Sequence, residues 1–451
     1  MFKKILIANR GEIAVRVIRA CREMGIQSVA VYSEADRESM HVRLADEAYC
    51  IGPAPAKQSY LNSEALLTAA LLSKAEAVHP GYGFLSENAD FAEACVKQGL
   101  VFIGPSATAI RKLGYKSTAK ALAREAKVPV VPGTQGLVDE HFMKEAMAVG
   151  FPVMVKAASG GGGKGLRLVR DPKDLEAQLK LAQSEAQAAF GDGSVYIEKF
   201  IERPRHVEIQ IAADNFGNVV AFPERDCTVQ RRHQKLIEES PSPKVTPEIR
   251  SRMQEAARKL ALAAKYSNVG TVEFLLGPDG NFYFIEVNTR LQVEHPVTES
   301  VTGLDLVNTQ IRLAAGEKLA FDQARASEIH FHSIEHRINA EDPDFNFAPS
   351  PGKVSEVIFP GGCGVRLDTH LYSGYTVPSF YDSLIAKLIV FASDRENAVK
   401  RSLRALSELE TAGIKTTRDF HKKVLSHQDF LSGNFDTSFV EKYFLPNSSG
   451  H

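Results

Sequence analysis

The sequence predicts a multidomain α/β protein whose first domain contains a parallel sheet. At 451 residues, the chain is too long for one compact core. Apolar residues make up 44% of it and charged residues 24%, which is the mixture of an ordinary globular protein. Within the first hundred residues, short apolar runs alternate with helical patterns. Such alternation is typical of parallel strands joined by right-handed crossovers, with binding sites at the carboxyl ends of the strands.

The first elements establish this alternation. The apolar run Lys4–Ala8 predicts a strand, and Glu12–Met24 carries apolar residues at helical spacing until Gly25 ends the helix. Ser28–Tyr32 predicts a second strand. The alternation continues with strands predicted at Glu76–His79 and Val101–Ile103 and helices predicted at Ser63–Ser73 and Asn88–Gln98.

From about Gly114 the pattern changes to helices and hairpins. Thr246 is predicted to cap a long helix, because Pro247 suits the first helical position. Beyond Ser327 the chain is rich in strand patterns that Gly and Pro interrupt. The other predicted elements are a helix at Ser117–Glu125, hairpins at Pro152–Val169 and Gly270–Asn288, and a closing helix at Glu396–Leu409.

Charge and cysteine content exclude several classes of protein. Lys and Arg total 54 against 55 for Asp and Glu, so no net charge favours nucleic acid or an anionic membrane as a partner. No apolar run approaches the ~18 residues that span a bilayer. The five cysteines are scattered and form no CxxC pair, which argues against a disulfide scaffold and a cysteine zinc site. We therefore expect a reduced, cytoplasmic protein that binds neither nucleic acid nor membrane.

The glycine tract Ser159–Gly165 (SGGGGKG) has three interpretations. A Walker A loop is disfavoured, because Ala158 stands where its first glycine belongs and a glycine, not Ser or Thr, follows the lysine. The GxGxxG spacing of a dinucleotide-binding loop is present, but Leu166–Val169 alternates like a strand and does not open a helix. The third interpretation is a flap at the tip of a hairpin.

A glycine flap can bind phosphate, because residues without a Cβ let consecutive backbone amides approach a polyphosphate closely. Strands at Val153–Lys156 and Leu166–Val169 would lead into and out of this flap. The alternative is a plain flexible loop. Lys156 favours the phosphate site, since a charged residue on a half-buried strand needs an anionic partner such as a triphosphate.

The hairpin within Thr271–Glu294 is predicted to place two carboxylates on one sheet face. With the turn at Gly277–Gly280, Glu273 faces Phe284 across the hairpin. Side chains on a strand alternate with period two, so Glu286 lies on the same face as Phe284. Glu273 and Glu286 then become diagonal neighbours, with Cα atoms roughly 7–8 Å apart.

Asn288 continues this face, and the three side chains predict a divalent cation site. Carboxylate and amide oxygens favour Mg²⁺ or Mn²⁺, which also bind nucleotide phosphates. The alternative is a pair of exposed strand glutamates, Glu273 and Glu286. The aromatic residues around them argue against full exposure.

Residues that follow the hairpin can bind and deprotonate a small acid. Arg290 offers a planar fork for a small oxyanion, and Glu294 can serve as a base beside it. The alternative is a surface salt bridge between these two side chains. The basic run Arg231–Lys235 is either a solvated face or a second anion clamp.

A series of motifs runs along nearly the whole chain: IANRGEIAVR (Ile7–Arg16), HPGYGFLSEN (His79–Asn88), the glycine flap, EKFIERPRHVEIQ (Glu198–Gln210), ERDCTVQRRHQK (Glu224–Lys235), FIEVNTRLQVEHPVTE (Phe284–Glu299), RINAEDP (Arg337–Pro343) and SPGKV (Ser350–Val354). In this order and spacing, the chain resembles a biotin carboxylase of the ATP-grasp superfamily, the ATP-dependent half of acetyl-CoA carboxylase and related enzymes. The resemblance implies an N-terminal Rossmann-like parallel-sheet domain (1–113), a central ATP-grasp domain with a glycine-rich flap (114–328, flap about 130–203) and a C-terminal mixed α+β domain (329–446).

The resemblance also implies roles for individual residues. For ATP, these are Lys116, Lys156 and the amides of Gly162 and Gly163 at the phosphates, Glu198, Lys199, Phe200 and Ile201 at the adenine hinge, and His206, Gln230 and His233 along the nucleotide pocket. For metal, they are Glu273, Glu286 and Asn288, which would hold two Mg²⁺ or Mn²⁺ ions. For bicarbonate, they are Lys235, Arg290, Gln292 and the Val293 amide, with Glu294 as general base. For biotin, they are Arg337, which would stabilise the developing oxyanion, and Tyr82 nearby.

The resemblance implies partners as well. A biotin carboxyl carrier protein and a carboxyltransferase are expected on separate chains, because no Met-Lys-Met attachment tripeptide occurs and no length remains for a transferase domain. A homodimer is implied. The alternatives are another ATP-grasp ligase, from which the Arg337 segment discriminates, and a nucleotide-binding subunit without turnover.

One position departs from the family pattern. The family has an acidic residue before the lysine of its Gly-Asp-Lys motif, whereas this chain reads Gly114-Tyr115-Lys116. We expect the missing carboxylate to weaken nucleotide binding modestly, because Lys156 and the metal ligands remain.

Overall fold

A computed structural model describes residues 1–134, 138, 141–157 and 166–445 of the chain. The N-terminal part is the predicted parallel sheet, with strand order β3-β2-β1-β4-β5. Its strands are β1 (Lys4–Ile7), β2 (Gln27–Tyr32), β3 (Glu47–Cys50), β4 (Ala77–His79) and β5 (Val101–Phe102), and its helices are α1 (Gly11–Glu23), α2 (Met40–Leu44), α3 (Ser63–Leu72), α4 (Ala89–Lys97) and α5 (Ala107–Gly114). The α/β class predicted from the alternation is confirmed.

A small antiparallel sheet of order β7-β6-β8 follows, with the glycine tract between its first two strands. The elements of this part are α6 (Lys116–Glu125), α7 (Phe142–Val149), β6 (Val153–Ala157), β7 (Leu166–Val169), α8 (Leu175–Phe190) and β8 (Val195–Lys199). The predicted phosphate-binding residues Gly162 and Gly163 lie outside the described residues.

The largest sheet has the order β14-β13-β9-β11-β12-β15-β22-β20, and β10 pairs with β9. It joins strands from residues 205–288 to strands from residues 332–392, because β12 pairs with β15. Its first part contains β9 (Arg205–Ala213), β10 (Val219–Ala221), β11 (Arg225–Arg231), β12 (Gln234–Ser240), α9 (Pro247–Ala263), β13 (Asn268–Leu276), β14 (Phe282–Asn288), α10 (His295–Thr302), α11 (Leu306–Ala314) and α12 (Gln323–Ala326).

The C-terminal part is mixed α and β, as predicted. Its elements are β15 (His332–Asn339), β16 (Glu341–Asp342), β17 (Ala348–Pro349), β18 (Gly352–Lys353), β19 (Glu356–Ile358), β20 (Val365–Thr369), β21 (Thr376–Val377), β22 (Leu384–Ala392), α13 (Arg395–Glu408), β23 (Glu410–Ala412), α14 (Arg418–Leu425), α15 (Gln428–Leu431) and α16 (Phe439–Phe444). Among the described residues, no helix combines the length and the apolar character that a membrane span needs.

Helix α9 shows how local sequence signals produce the core. The Thr246 hydroxyl accepts a hydrogen bond from the Ile249 amide, as the capping prediction requires. The helix buries Met253 and Leu260 against the apolar face of β9 and β13. This packing supports the strands that carry several predicted site residues.

The predicted register of the β13–β14 hairpin is wrong. Leu276 pairs with Phe282, because the loop spans Gly277–Asn281 and is one residue longer than expected. A bulge then shifts the ladder once more, so Glu273 pairs with Glu286 and does not face Phe284. The two carboxylates are thus directly opposite each other on one face, as predicted. Phe284, which was predicted to share that face, pairs with Phe274 and lies in the apolar core on the other side of the sheet.

Lys387 on β22 links the N-terminal, central and C-terminal parts. Its side chain is fully buried. The ammonium lies 3.2 Å from the Glu12 carboxylate on α1 and donates a hydrogen bond of 2.9 Å to the Val293 carbonyl. Burial raises the pKa of Glu12 to about 7, and Lys387 opposes that shift.

We predict that Lys387→Met lowers the free energy of unfolding by about 3 kcal/mol near pH 8, because it leaves Glu12 buried without its ammonium partner. Loss of the ammonium raises the folded-state pKa of Glu12 above the wild-type value of about 7. The folded variant then retains a proton that the unfolded chain has released, so the loss of stability is larger at pH 9 than at pH 6. Urea denaturation at the two pH values measures this difference.

Glu12→Gln in the Lys387→Met background removes this titrating group and is expected to reduce the pH dependence. Lys400→Met, at an exposed helix pair, is the control and leaves stability unchanged. An equal loss at pH 6 and pH 9 contradicts the assignment of this pair.

Candidate active site

The Lys235 ammonium lies at the centre of a buried ionic cluster. It contacts carboxylate oxygens of Glu208 at 2.6 Å, Glu273 at 2.9 Å and Glu294 at 2.6 Å. Burial alone would lower the pKa of Lys235, but the three carboxylates raise it well above its ordinary value. The basic run Arg231–Lys235 is therefore not a solvated face throughout, because its last member is enclosed by acids.

Glu294 bridges two cations directly before helix α10. One carboxylate oxygen accepts from Lys235, and the other accepts from Arg337 at 2.8 Å. Burial favours the protonated form, but Lys235 and then Arg337 hold the pKa of Glu294 well below its ordinary range. The position also lies at the helix N-terminus, where the helix dipole favours an anion. Glu294 is thus a buried carboxylate whose charged form is favoured by the two cations.

Arg337 on β15 is held from two sides. Its guanidinium donates to Glu238 at 2.6 Å and to Glu294. Its carbonyl accepts from the Thr417 hydroxyl at 2.9 Å and contacts the His421 ring nitrogen at 2.6 Å. Burial raises the pKa of Glu238 to about 7, although Arg337 opposes the shift. The guanidinium is thus fixed beside Glu294, the residue predicted from the sequence to act as a base.

Arg290 is held at the edge of the cluster. Its guanidinium donates to Glu87 at 2.8 Å and to the Asn288 side-chain oxygen at 3.1 Å. Glu87 also accepts from the Thr289 amide at 3.0 Å. Arg290 therefore pairs with Glu87 and not with Glu294, which excludes the simple salt bridge considered from the sequence.

The carboxylates predicted to bind metal lie together on β13 and β14. Glu273 accepts from the Asn288 side chain and from the Gln292 side chain, both at 2.9 Å. Its other oxygen lies 3.0 Å from the His206 ring. Burial would raise the pKa of Glu273, but Lys235 and then His206 hold it well below its ordinary value.

This donor set fits a hard divalent cation. Glu273 and Glu286 offer carboxylate oxygens from one cross-strand pair, and Asn288 adds an amide oxygen. His206, Glu208 and Glu273 also present ligand atoms within 4.8 Å of one another. Lys116 lies 3.6 Å from Glu286, so an ammonium stands at the edge of this acidic face.

Lys156, one of the two lysines predicted to bind the nucleotide phosphates, contacts the Glu198 carboxylate. Lys156 on β6 lies 2.8 Å from a Glu198 oxygen on β8. Lys120 on α6 pairs with the other Glu198 oxygen, a contact that the sequence did not indicate. Burial alone would raise the pKa of Glu198, but Lys156 and then Lys120 lower it.

The predicted adenine hinge follows Glu198 at the end of β8. The Lys199 ammonium donates to the Gly150 and Phe151 carbonyls at 2.9 Å each, and the Phe200 amide donates to the Pro152 carbonyl at 3.0 Å. This backbone is therefore fixed against the preceding segment. Ile201 lies directly after it.

The remaining predicted residues lie around the cluster at different depths. Gln230 pairs with Lys235 across the β11–β12 hairpin, whereas His233 is exposed in the turn of that hairpin. The Val293 carbonyl accepts from Lys387. The Tyr82 ring centre lies 5.7 Å from the same ammonium, which brings Tyr82 and Val293 to one side of the site.

Sequence reasoning missed the buried groups that support the cluster. Arg225 is fully buried and donates to Glu208 at 2.5 Å and to Gln292 at 2.9 Å. Glu208 and Glu238 are also fully buried. A signal was present, because Glu208 is a charged residue within the apolar strand pattern of β9, the same argument that identified Lys156.

Three family models match the chain in order. They are the biotin carboxylase N-terminal domain (residues 1–110), the carbamoyl-phosphate synthase L chain ATP-binding domain (residues 115–321) and the biotin carboxylase C-terminal domain (residues 335–442). Together they span most of the chain.

Two curated relatives and one solved structure illustrate the similarity. Biotin carboxylase of Nostoc sp. is 54% identical, covering 98% of this chain and 99% of its own length. A pyruvate carboxylase subunit of Methanothermobacter thermautotrophicus is 53% identical, with coverages of 98% and 90%.

The solved structure is the biotin carboxylase domain dimer of the Hydrogenobacter thermophilus 2-oxoglutarate carboxylase with MgADP, ADP and bicarbonate. It is 47% identical, with a TM-score of 0.90 and 98% of each chain covered. Sequence and fold agree, and the chain belongs to the biotin carboxylase family of ATP-dependent ligases.

Proposed function

We propose that the chain carboxylates biotin on a separate carrier protein, consuming ATP and bicarbonate and releasing ADP and phosphate by way of carboxyphosphate. The observation that carries this proposal is the buried Glu294 carboxylate, fixed between Lys235 and Arg337 and close to a segment that bears Arg290. A base between two cations suits a reaction in which a small acid loses a proton and an oxyanion then develops nearby.

The first step is the binding and deprotonation of bicarbonate. Arg290, Gln292, Lys235 and the Val293 amide orient bicarbonate, and Glu294 accepts its proton so that it can attack the γ-phosphate in line. The low pKa of Glu294 keeps it ionised but makes it a weak base. A bound bicarbonate anion raises that pKa by like-charge repulsion, which makes the proton transfer easier.

The carboxylate face and the lysines support the phosphoryl transfer. Glu273, Glu286 and Asn288 would hold Mg²⁺ or Mn²⁺, which neutralises the charge on the transferred group. Lys116 and Lys156 complement that charge from the side of the nucleotide. The residues of the hinge and pocket (Glu198, Lys199, Phe200, Ile201, His206, Gln230 and His233) would hold the rest of the nucleotide.

Arg337 acts in the second step. Breakdown of carboxyphosphate gives CO₂ and phosphate, and phosphate can take the N1′ proton of biotin. The Arg337 guanidinium then stabilises the enolate-like oxyanion of biotin. Tyr82 lies on the same side as Val293 and can border this substrate.

The setting of the enzyme is also a proposal. We propose that the reaction is the first half-reaction of acetyl-CoA carboxylase and that the enzyme is a homodimer whose carrier and transferase are separate chains. We also propose that the chain is divided into three domains, 1–113, 114–328 and 329–446. Relatives named as biotin carboxylase and as one subunit of a pyruvate carboxylase support a carrier on another chain. The five free cysteines support a reducing, cytoplasmic compartment.

ADP release by the purified chain tests the proposal directly. We expect it to depend on Mg²⁺ and bicarbonate and to rise about tenfold or more with free biotin, since biotin consumes the carboxylating species. A coupled ADP assay with and without each component measures this. ATP consumption that ignores both bicarbonate and biotin contradicts the proposed function.

We predict that Glu294→Gln lowers kcat by about a hundredfold or more, because the amide cannot accept the bicarbonate proton. Glu396→Gln, at an exposed helix position, is the matched control and keeps wild-type turnover.

Arg337→Ala is expected to abolish biotin carboxylation. Normal carboxylation by Arg337→Ala overturns the role given to that residue.

Tyr115 tests whether the departure from the family pattern impairs the site. The residue is exposed and precedes α6 without a side-chain cap. We predict that Tyr115→Asp caps the helix and improves the KM for ATP by less than about tenfold, since one cap contributes roughly 1 kcal/mol. Steady-state kinetics measures it. A hundredfold gain supports the alternative, a nucleotide-binding subunit that has lost turnover through this position.

A further inference from the structure

Glu198 is a buried carboxylate that two lysines share. It is 6% exposed, and each of its oxygens faces a different ammonium. Lys156 comes from the neighbouring strand β6, and Lys120 comes from helix α6. Three elements that are distant in sequence therefore meet at one charged group.

The two lysines differ in their surroundings. The Lys120 side chain is 16% exposed and its ammonium also lies 5.1 Å from the centre of the Tyr196 ring. The Lys156 side chain is 34% exposed and lies at the end of β6, one residue from the segment that carries the glycine tract. Lys156 is thus the partner that can leave, whereas Lys120 is enclosed.

The proposed function requires Lys156 to leave. A lysine that neutralises the nucleotide phosphates cannot also remain the sole counterion of a buried carboxylate, because removing it would leave that charge unpaired in a dry site. Glu198 would then compete with the nucleotide for Lys156. A second ammonium on Glu198 removes this competition.

We propose that Lys120 is a positioning residue that keeps Glu198 neutralised and so releases Lys156 to the nucleotide phosphates. This inference rests on the proposed function, because it takes ATP as the ligand of Lys156. Lys120 acts through Glu198 and contacts no reacting group.

The electrostatics of the lysines agrees with this exchange. Burial lowers the pKa of Lys120, Glu198 opposes that shift, and Lys156 and Lys116 lower it further by like-charge repulsion. Movement of Lys156 toward a polyphosphate relieves that repulsion. Nucleotide binding and the Lys120–Glu198 pair therefore favour each other.

Titration calorimetry with MgADP and with adenosine tests the inference on the full chain. Lys120→Met is expected to weaken MgADP binding about tenfold, since Glu198 then retains Lys156. Adenosine has no phosphate and does not require the exchange, so its affinity is expected to change by less than about twofold. Lys120→Arg keeps the cation and retains MgADP affinity, and Lys112→Met, at an exposed position on α5, is the control.

A double-mutant cycle shows whether Lys120 acts through Glu198. In a Glu198→Gln background, Lys120→Met is expected to change MgADP affinity by less than about twofold, because no carboxylate remains to hold Lys156. In the enzyme assay, Lys120→Met raises the KM for ATP and leaves kcat at saturating ATP within about twofold.

Other outcomes overturn the inference in distinguishable ways. An equal loss of MgADP affinity in both backgrounds means that Lys120 contacts the nucleotide itself. Unchanged MgADP affinity in Lys120→Met means that Lys156 is not held by Glu198. A wild-type chain that binds no MgADP removes the proposed function, and this inference with it.

Discussion

The contact of Lys235 with Glu208, Glu273 and Glu294 is the constraint on which the site depends. Four formal charges are enclosed there by strands β9, β12 and β13 and by the start of α10. Three carboxylates cannot remain ionised and buried together without a cation among them. The ammonium therefore fixes Glu273, the proposed metal ligand, and Glu294, the proposed base, relative to each other.

This arrangement costs stability and provides preorganisation. Replacement of buried ion pairs by apolar residues is often neutral or stabilising in proteins, so the cluster is not explained by folding alone. We attribute the cluster to the proposed reaction, because it holds charged groups in advance at the place where charge would develop. Arg225 pairs with Glu208 and Arg337 pairs with Glu294, and Lys387 donates a hydrogen bond to the Val293 carbonyl.

The sequence predicted those features that follow from local patterns. The parallel sheet came from alternation of strands and helices, and the start of α9 came from Thr246 and Pro247. Glu273 and Glu286 share a face as predicted, but the strand periodicity used to predict it also put Phe284 on that face, and Phe284 lies in the core instead. The predicted register was wrong, because the alternation of apolar and polar residues indicates neither the length of the hairpin loop nor the bulge beside Phe284.

Contacts between distant segments could not be predicted in this way. Glu294 and Arg337 are 43 residues apart and meet only because β15 pairs with β12. Lys120 reaches Glu198 across 78 residues. The role proposed for Arg337 came from the family resemblance and not from local sequence patterns. The contact of Lys120 with Glu198 was found only in the structure.

A crystal structure of the chain with MgADP and bicarbonate tests the central claim most directly. The account predicts that Lys235 still contacts Glu294 and that bicarbonate lies between Glu294 and Arg290, with the cation on Glu273 and Glu286. Bicarbonate bound away from Glu294, or the three carboxylates turned to opposite sides of their strands, would contradict it.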